Sequence, residues 1–293
     1  MPAIQPQPAS DSRPASGLPI WLSRLRSYLL WDPLIWLYTI VLGCLSLLSS
    51  FFDRNGRIQH GFARLWSRMI LGTIGAQVRV EGWEKIDASR PCIYAVNHLS
   101  ALDIPVLYKH LPFQFRILAK RELFRYPFMG WHLRRSGQIP ITFEEPASSK
   151  DEGSKSELRS GSFSRLRKNF EGLAQGVNYL KSGMPIVIFP EGGRSENGHL
   201  LPFMRGAFWL ALKAQVEVVP MAIVGTYETL PMNSFHIRPH PVRLVVGEPI
   251  TTHGMNIRSL TQKTRDAIAD LYYPHSLVPG PRTQNLSEQE SRR

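Results

Sequence analysis

Val96-Asn97-His98-Leu99-Ser100-Ala101-Leu102-Asp103 joins a short apolar run, Cys92-Ile93-Tyr94-Ala95-Val96, to a segment carrying two helix-start signals. The run has the length and residue types of a buried strand. Ser100 and Asp103 have the spacing of a capping box, and Pro105 follows just beyond. The stretch therefore predicts a strand, a turn and a helix, the unit from which α/β folds are built. Residues five apart sit about 140° apart around a continuous α-helix. His98 and Asp103 can meet only if His98 lies in the turn and Asp103 in the first helical turn. Such a junction also turns backbone N–H groups toward an anion.

A His–Asp pair in that geometry has a defined chemistry. Neutral imidazole takes a proton from a hydroxyl near physiological pH. A carboxylate on its other nitrogen fixes the tautomer and stabilises the imidazolium that forms. No serine or cysteine is needed when the substrate brings its own hydroxyl. The plainer reading makes Asp103 a helix cap and His98 a hydrogen-bonded core histidine, and the motif alone does not decide between them.

Composition narrows the classes. The chain has 293 residues, 43% hydrophobic and 20% charged, which excludes a wholly disordered protein. A net charge of +12 favours anionic partners such as phosphates, lipid headgroups or nucleic acid. The two cysteines, Cys44 and Cys92, fall in an apolar segment and a core strand, so a disulfide framework is not expected and a reducing compartment fits.

Along the chain, residues 1–19 read as a disordered tail rich in Pro, Ser and Ala. Residues 20–57 read as a membrane-anchoring helical segment, since Leu34 to Phe52 is an uncharged run close to the ~20 residues a bilayer requires. Either one helix spans the membrane, or a pair of shorter helices, one covering Ser27 to Leu37, lies in one leaflet. A buried core helix is the soluble alternative. Arg54, Arg57, Arg64 and Arg68 outnumber Arg24 and Arg26, a bias that places the following domain in the cytoplasm.

From 58 to 272 strand-like and helix-like stretches alternate, predicting an α/β domain with a single mixed sheet covered by helices. Strands are expected at Gln77–Glu81, Cys92–Val96, Phe115–Ala119, Ile139–Ile141, Ile186–Phe189, Val218–Val224 and Val242–Val246. Pro140 assigns Ile139–Ile141 to an edge. Helices are expected at about 101–110, before Arg135, over 166–180 and over 258–271. Residues 144–162 read as a flexible insertion, and 273–293 as a polar tail.

Directly after the Ile186–Phe189 strand comes Pro190-Glu191-Gly192-Gly193-Arg194-Ser195. A turn at the carboxyl end of a strand is where open α/β sheets bind ligands. Its glycines allow close backbone approach, and Arg194 can hold a phosphate through paired hydrogen bonds. Between Lys109 and Arg135, seven basic residues face one acid and are interleaved with aromatics. That pattern suits a membrane interface or single-stranded nucleic acid, and the apolar Leu34–Phe52 run favours the membrane.

Taken together, these blocks resemble the glycerophospholipid acyltransferase family, of the 1-acylglycerol-3-phosphate acyltransferase type. Asn97 to Asp103 matches its Asn-His-x4-Asp block. Ala119 to Phe124 with Pro127 to Trp131 resembles the approach to its second block. Phe189 to Ser195 matches its Phe-Pro-Glu-Gly-x-Arg-Ser block, and Val219-Pro220-Met221 its fourth. The resemblance implies that His98 is the general base on the acceptor hydroxyl, oriented by Asp103. It places the acceptor phosphate against Glu191, Gly192, Gly193, Arg194 and Ser195, with Lys120 contributing. It implies no metal and no cofactor, with acyl-CoA or acyl-carrier protein as co-substrate. The expected partners are a lysophospholipid and a membrane, with no nucleic acid.

The sequence departs from the family pattern at three places. Gly193 stands for the usual Thr, Arg205 for a frequent Lys, and Glu144 follows Ile141-Thr142-Phe143 where the second block commonly carries an Asp-Arg pair. The missing arginine bears on acceptor identity, and Lys120, Arg121 or Arg194 are candidates to replace it. Another lysolipid acceptor, a catalytically silent membrane-binding protein, and a metal hydrolase using His98, Asp103 and Glu191 are the competing readings. Against the hydrolase, no second His lies at metal-ligand spacing from His98.

Overall fold

Four of the expected strands are unbroken apolar runs, and a run of that kind is stable only when both faces of its sheet are covered. The structure, a computed structural model, describes residues 19–53, 55–142 and 171–280, and shows that arrangement. The order of elements is α1 (Ile20–Ser49), α2 (Arg57–Thr73), β1 (Val78–Glu81), β2 (Ile93–Val96), α3 (Asp103–His110), β3 (Arg116–Lys120), α4 (Met129–Arg135) and β4 (Ile139–Ile141). Then follow α5 (171–181), β5 (Ile186–Ile188), α6 (Gly206–Ala214), β6 (Val218–Val224), β7 (Val242–Val246) and α7 (Ile257–Tyr272). The sheet runs β1-β7-β6-β2-β5-β3-β4. Strands β6, β2, β5, β3 and β4 are mutually parallel, while β7 is antiparallel to β6 and carries β1 parallel to itself. The sheet is therefore mixed, as expected, and the proline-bearing β4 is an edge.

Alternate residues of each strand feed two separate cores. Tyr94, Val96, Val187, Met221 and Leu244 face α1, α2 and α3. Ile93, Ala95, Ile186, Ile188 and Ala222 face α5, α6 and α7. This is a three-layer α/β/α stack.

Of the two arrangements expected for this segment, the structure has one continuous helix, α1, with a π-helical stretch at Ser27–Trp31, and not a pair of shorter helices. Nor is it a separate appendage. A stripe of Ser23, Ser27, Trp31, Tyr38, Leu42 and Ser46 is buried, and Trp31, Tyr38 and Leu42 belong to the same core as the sheet. Ser23 Oγ lies 3.0 Å from His236 Nε2 and Ser46 Oγ 3.2 Å from His132 Nδ1. At 1.5 Å per residue these ties are about 35 Å apart, so α1 is fastened alongside the domain over most of its length. Its opposite face, including Trp21, Leu29, Trp36, Ile40 and Leu48, is exposed.

Helices α2 and α6 were not among the expected elements. The start of α2 lacks a local cap signal because Asp53, outside the helix, accepts the N–H groups of Arg57, Ile58 and Gln59 at 2.7–3.1 Å. The expected tail over 1–19, the insertion at 144–162, the first turn of the 166–180 helix and the end of the 273–293 tail fall largely or wholly outside the described residues.

Candidate active site

The parallel strands β2, β5 and β3 lie side by side and end at one edge of the sheet, which puts the segments following them in a row. Those segments hold His98 and Glu191 to Ser195, and Lys120 is the last residue of β3 itself. The row is the carboxyl edge at which open α/β sheets bind ligands.

His98 sits in the turn after β2 and Asp103 opens α3. His98 Nδ1 lies 2.8 Å from Asp103 Oδ2. The same oxygen accepts the N–H groups of Leu99 at 2.7 Å and Ser100 at 2.9 Å. The capping box is half closed: Asp103 takes the Ser100 N–H, but the Ser100 hydroxyl accepts from Leu102 N at 3.2 Å rather than from Asp103. The Asp103 carboxylate is fully buried, whereas the His98 side chain keeps 18% of its surface. Phe189 stacks on the imidazole with ring centroids 4.1 Å apart. With Nδ1–H donated to the carboxylate, Nε2 carries the lone pair that can take a proton.

The two sequence blocks clasp each other through the backbone of His98. Its N–H donates to Glu191 Oε1 at 2.8 Å, and its carbonyl accepts from Ser195 N at 3.0 Å. Glu191 Oε2 accepts from Leu201 N at 2.7 Å. Both Glu191 oxygens are thus used on backbone, and the residue is buried. Burial pushes its carboxyl from 4.5 up to about 8, against the downward pull of the Leu201 and His98 N–H groups. Ser195 is likewise buried, its hydroxyl donating to Asn197 Oδ1 at 3.1 Å. Neither side chain faces the mouth of the site. Gly192, Gly193, Arg194 and Lys120 do reach the surface. A Cβ at Gly193 would stand 3.8 Å from Lys120 Nζ, so that ammonium lies directly beside the turn. Gly192 takes φ +71°, a left-handed conformation suited to glycine.

Arg121 is turned away from this mouth, its guanidinium donating to Pro140 O and Thr142 Oγ1, both at 3.3 Å. Of the three cations proposed to replace the missing arginine, Lys120 and Arg194 are the two at the mouth.

Two residues without an assigned role complete the frame. Asn97 exchanges two hydrogen bonds with the backbone of Ile223, donating at 2.9 Å and accepting at 2.7 Å, which locks the end of β2 to β6. Thr226, fully buried in a helical turn after β6, donates its hydroxyl to Asp103 Oδ1 at 2.6 Å. Asn97 lies inside a motif already singled out. Thr226 is 123 residues from its partner, and only Gly225 before it marks a turn in the sequence. Among the described residues no cluster of three or more His, Cys, Asp or Glu side chains could hold a metal ion.

A family model described as Acyltransferase matches residues 77–224. The chain is 32% identical over 222 residues to the chloroplastic 1-acyl-sn-glycerol-3-phosphate acyltransferase of Brassica napus, covering 75% of this chain and 58% of that one. It is 29% identical over 231 residues to the 1-acyl-sn-glycerol-3-phosphate acyltransferase of Saccharomyces cerevisiae, covering 77% and 69%. The chain thus spans less than two thirds of the Brassica relative. The crystal structure of a 1-acyl-sn-glycerophosphate (LPA) acyltransferase from Thermotoga maritima has the same fold, with a TM-score of 0.66 at 23% identity over 86% of this chain and 96% of that one.

Proposed function

Because the chain belongs to the acyltransferase family, we propose that it moves a fatty acyl group from an acyl thioester to the 2-hydroxyl of 1-acylglycerol 3-phosphate, giving phosphatidic acid. The carrying observation is the His98–Asp103 contact at 2.8 Å on the same sheet edge as Arg194 and Lys120. In this reading His98 Nε2 takes the proton of the acceptor hydroxyl as its oxygen attacks the thioester carbonyl carbon. Asp103 holds the imidazolium. Collapse of the tetrahedral adduct breaks the carbon–sulfur bond, and the imidazolium returns its proton to the leaving thiolate. Arg194, Lys120 and the backbone of Gly192 and Gly193 receive the acceptor phosphate. Glu191 and Ser195 act one step back, by holding the backbone of His98. Hydroxyl and thioester supply every atom of this step and no oxidation state changes, so the step as written calls for no redox cofactor.

The relatives' activity supports the acceptor, and the exposed apolar face of α1 supports a membrane-attached enzyme. The arginine bias after α1 supports a cytoplasmic catalytic domain. The second reading, another lysolipid acceptor, is favoured by one observation: Arg121 is engaged on β4 and so does not replace the missing second-block arginine.

Purified protein in vesicles with labelled palmitoyl-CoA or acyl-carrier protein tests both readings. Lysophosphatidic acid, glycerol 3-phosphate and lysophosphatidylcholine are the acceptors, with wild type and His98→Ala compared. Label should enter phosphatidic acid, with a loss of at least ~10²-fold in His98→Ala. Label in another product would replace the acceptor, and undiminished transfer by His98→Ala would remove the base.

A further inference from the structure

The aromatic and cationic stretch that follows β3 has no part in the chemistry above. Tyr126, Phe128, Met129 and Trp131 are 57%, 63%, 47% and 53% exposed. Four large apolar side chains within six residues, all this open, are unusual for a surface that meets only water. Phe128 holds φ 58°, an uncommon conformation for an aromatic residue, and its ring meets Trp131 edge-on at 5.3 Å. Arg125, Arg134 and Arg135 flank the patch.

The patch adjoins α1. His132 of α4 lies 3.2 Å from the Ser46 hydroxyl of α1, and the Arg135 guanidinium sits 5.2 Å from the ring of Phe51, just past the end of α1. Phe51 and Phe52 are themselves 70% and 87% exposed. The exposed Phe51 and Phe52 just past the end of α1 thus lie next to the exposed apolar side chains of α4, with the Arg135 guanidinium beside them. The same segment leads out of β3, whose last residue, Lys120, borders the proposed phosphate mouth.

We propose that α4 and the turn before it are a second bilayer-contact surface, which seats Phe128 and Trp131 in the headgroup region of an anionic membrane and brings the Lys120 side of the site to the depth of the acceptor's phosphate. Aromatic rings at headgroup level with arginines beside them match the chemistry of that layer. A water-soluble acidic protein would meet the arginines but has no need of the apolar side chains next to Phe51 and Phe52. This inference rests on the membrane-attached reading above.

The test measures partition of the full chain into phosphatidylcholine vesicles with and without phosphatidylglycerol. The variants are Phe128→Ser/Trp131→Ser and, on α1, Trp36→Ser/Ile40→Ser. The α4 variant should bind phosphatidylglycerol vesicles roughly tenfold or more weakly, while transfer between water-soluble short-chain substrates is retained. An unchanged partition of the α4 variant, with the α1 variant weakened, overturns the second surface and leaves the anchor intact. If neither variant moves the partition, the membrane-attached reading itself fails. Weakened capture of an acidic acyl-carrier protein with unchanged vesicle binding overturns the proposal in favour of protein docking. A probe at Met129→Cys, on a Cys44→Ser background, needs no weakened fold: its emission should shift to the blue on adding vesicles, and a constant spectrum overturns the proposal.

Discussion

Thr226 decides how well Asp103 is aimed. Oδ2 of that buried carboxylate is shared by His98 and two backbone N–H groups, and Oδ1 is held by the Thr226 hydroxyl at 2.6 Å. A hydrogen bond to a charged group is worth roughly 1.5–3 kcal/mol. Thr226→Val should therefore lower kcat about tenfold with acceptor KM little changed, and Thr226→Ser should restore it. A Ser variant as slow as Val would show that Thr226 only fills space. Glu191 carries a different signature. Its folded pKa, about 8, lies above its ordinary 4.5, so the fold holds this proton more tightly than the unfolded chain does. That stability is complete below the ordinary value and is lost as pH rises toward 8. His60 and His110, both pushed down to about 4 by burial, act in the opposite direction and only below 6.5. Between pH 6.5 and 8, thermal unfolding of wild type should therefore fall while that of Glu191→Gln stays flat. The Gln variant should be less stable by about 1–3 kcal/mol, since its amide NH2 meets a backbone N–H left without an acceptor. Parallel curves for the two proteins would rule out a buried, proton-holding Glu191.

At the scale of elements, the segment after β6 connects the site to α1. Thr226 reaches Asp103, the Leu230 carbonyl accepts from the Ser100 hydroxyl at 2.7 Å, and Ile237 exchanges hydrogen bonds with the Ser27 hydroxyl of α1 at 3.1 and 3.2 Å. The segment turns at Gly225, whose φ of +92° is left-handed and whose added Cβ would run into the Pro241 carbonyl oxygen. Gly225→Ala should cost about 2 kcal/mol or more in denaturant unfolding and should slow turnover by moving Thr226. Full stability in that variant would mean that the turn can relax without Pro241. Helices α2 and α6 show what local sequence hides. The cap of α2 is supplied by Asp53 across the left-handed Gly56, and α6 starts after Arg205 with no side-chain cap, so neither start carries a local signature.

On the scale of the whole molecule, the proposed membrane attachment would draw on two different forces, a charge of +12 and an apolar helix face. The electrostatic part is screened as the Debye length falls from ~10 Å at 0.1 M salt to ~3 Å at 1 M, while apolar insertion is not. In flotation assays, association with phosphatidylglycerol vesicles should weaken with salt to a plateau equal to that with phosphatidylcholine. Complete release at high salt would show that α1 is not inserted. The division between chain and fold follows from range. All seven strands, the edge position of β4, the His98 turn and the glycine turn after β5 were legible, because each depends on neighbours a few residues away: apolar runs, a proline without an N–H, glycines in a turn. Strand order was not legible, since pairing β2 with β5 and β6 joins segments about 90 and 125 residues apart through backbone hydrogen bonds common to every sequence. The same range hid the Thr226 hydroxyl on Asp103, the inward turn of Glu191 and the fastening of α1 along the domain. The residue types and their local spacing were determined by the sequence alone. Which of them face a substrate and which hold those that do was decided by the tertiary structure, because burial and hydrogen-bond partners exist only once distant strands have come together.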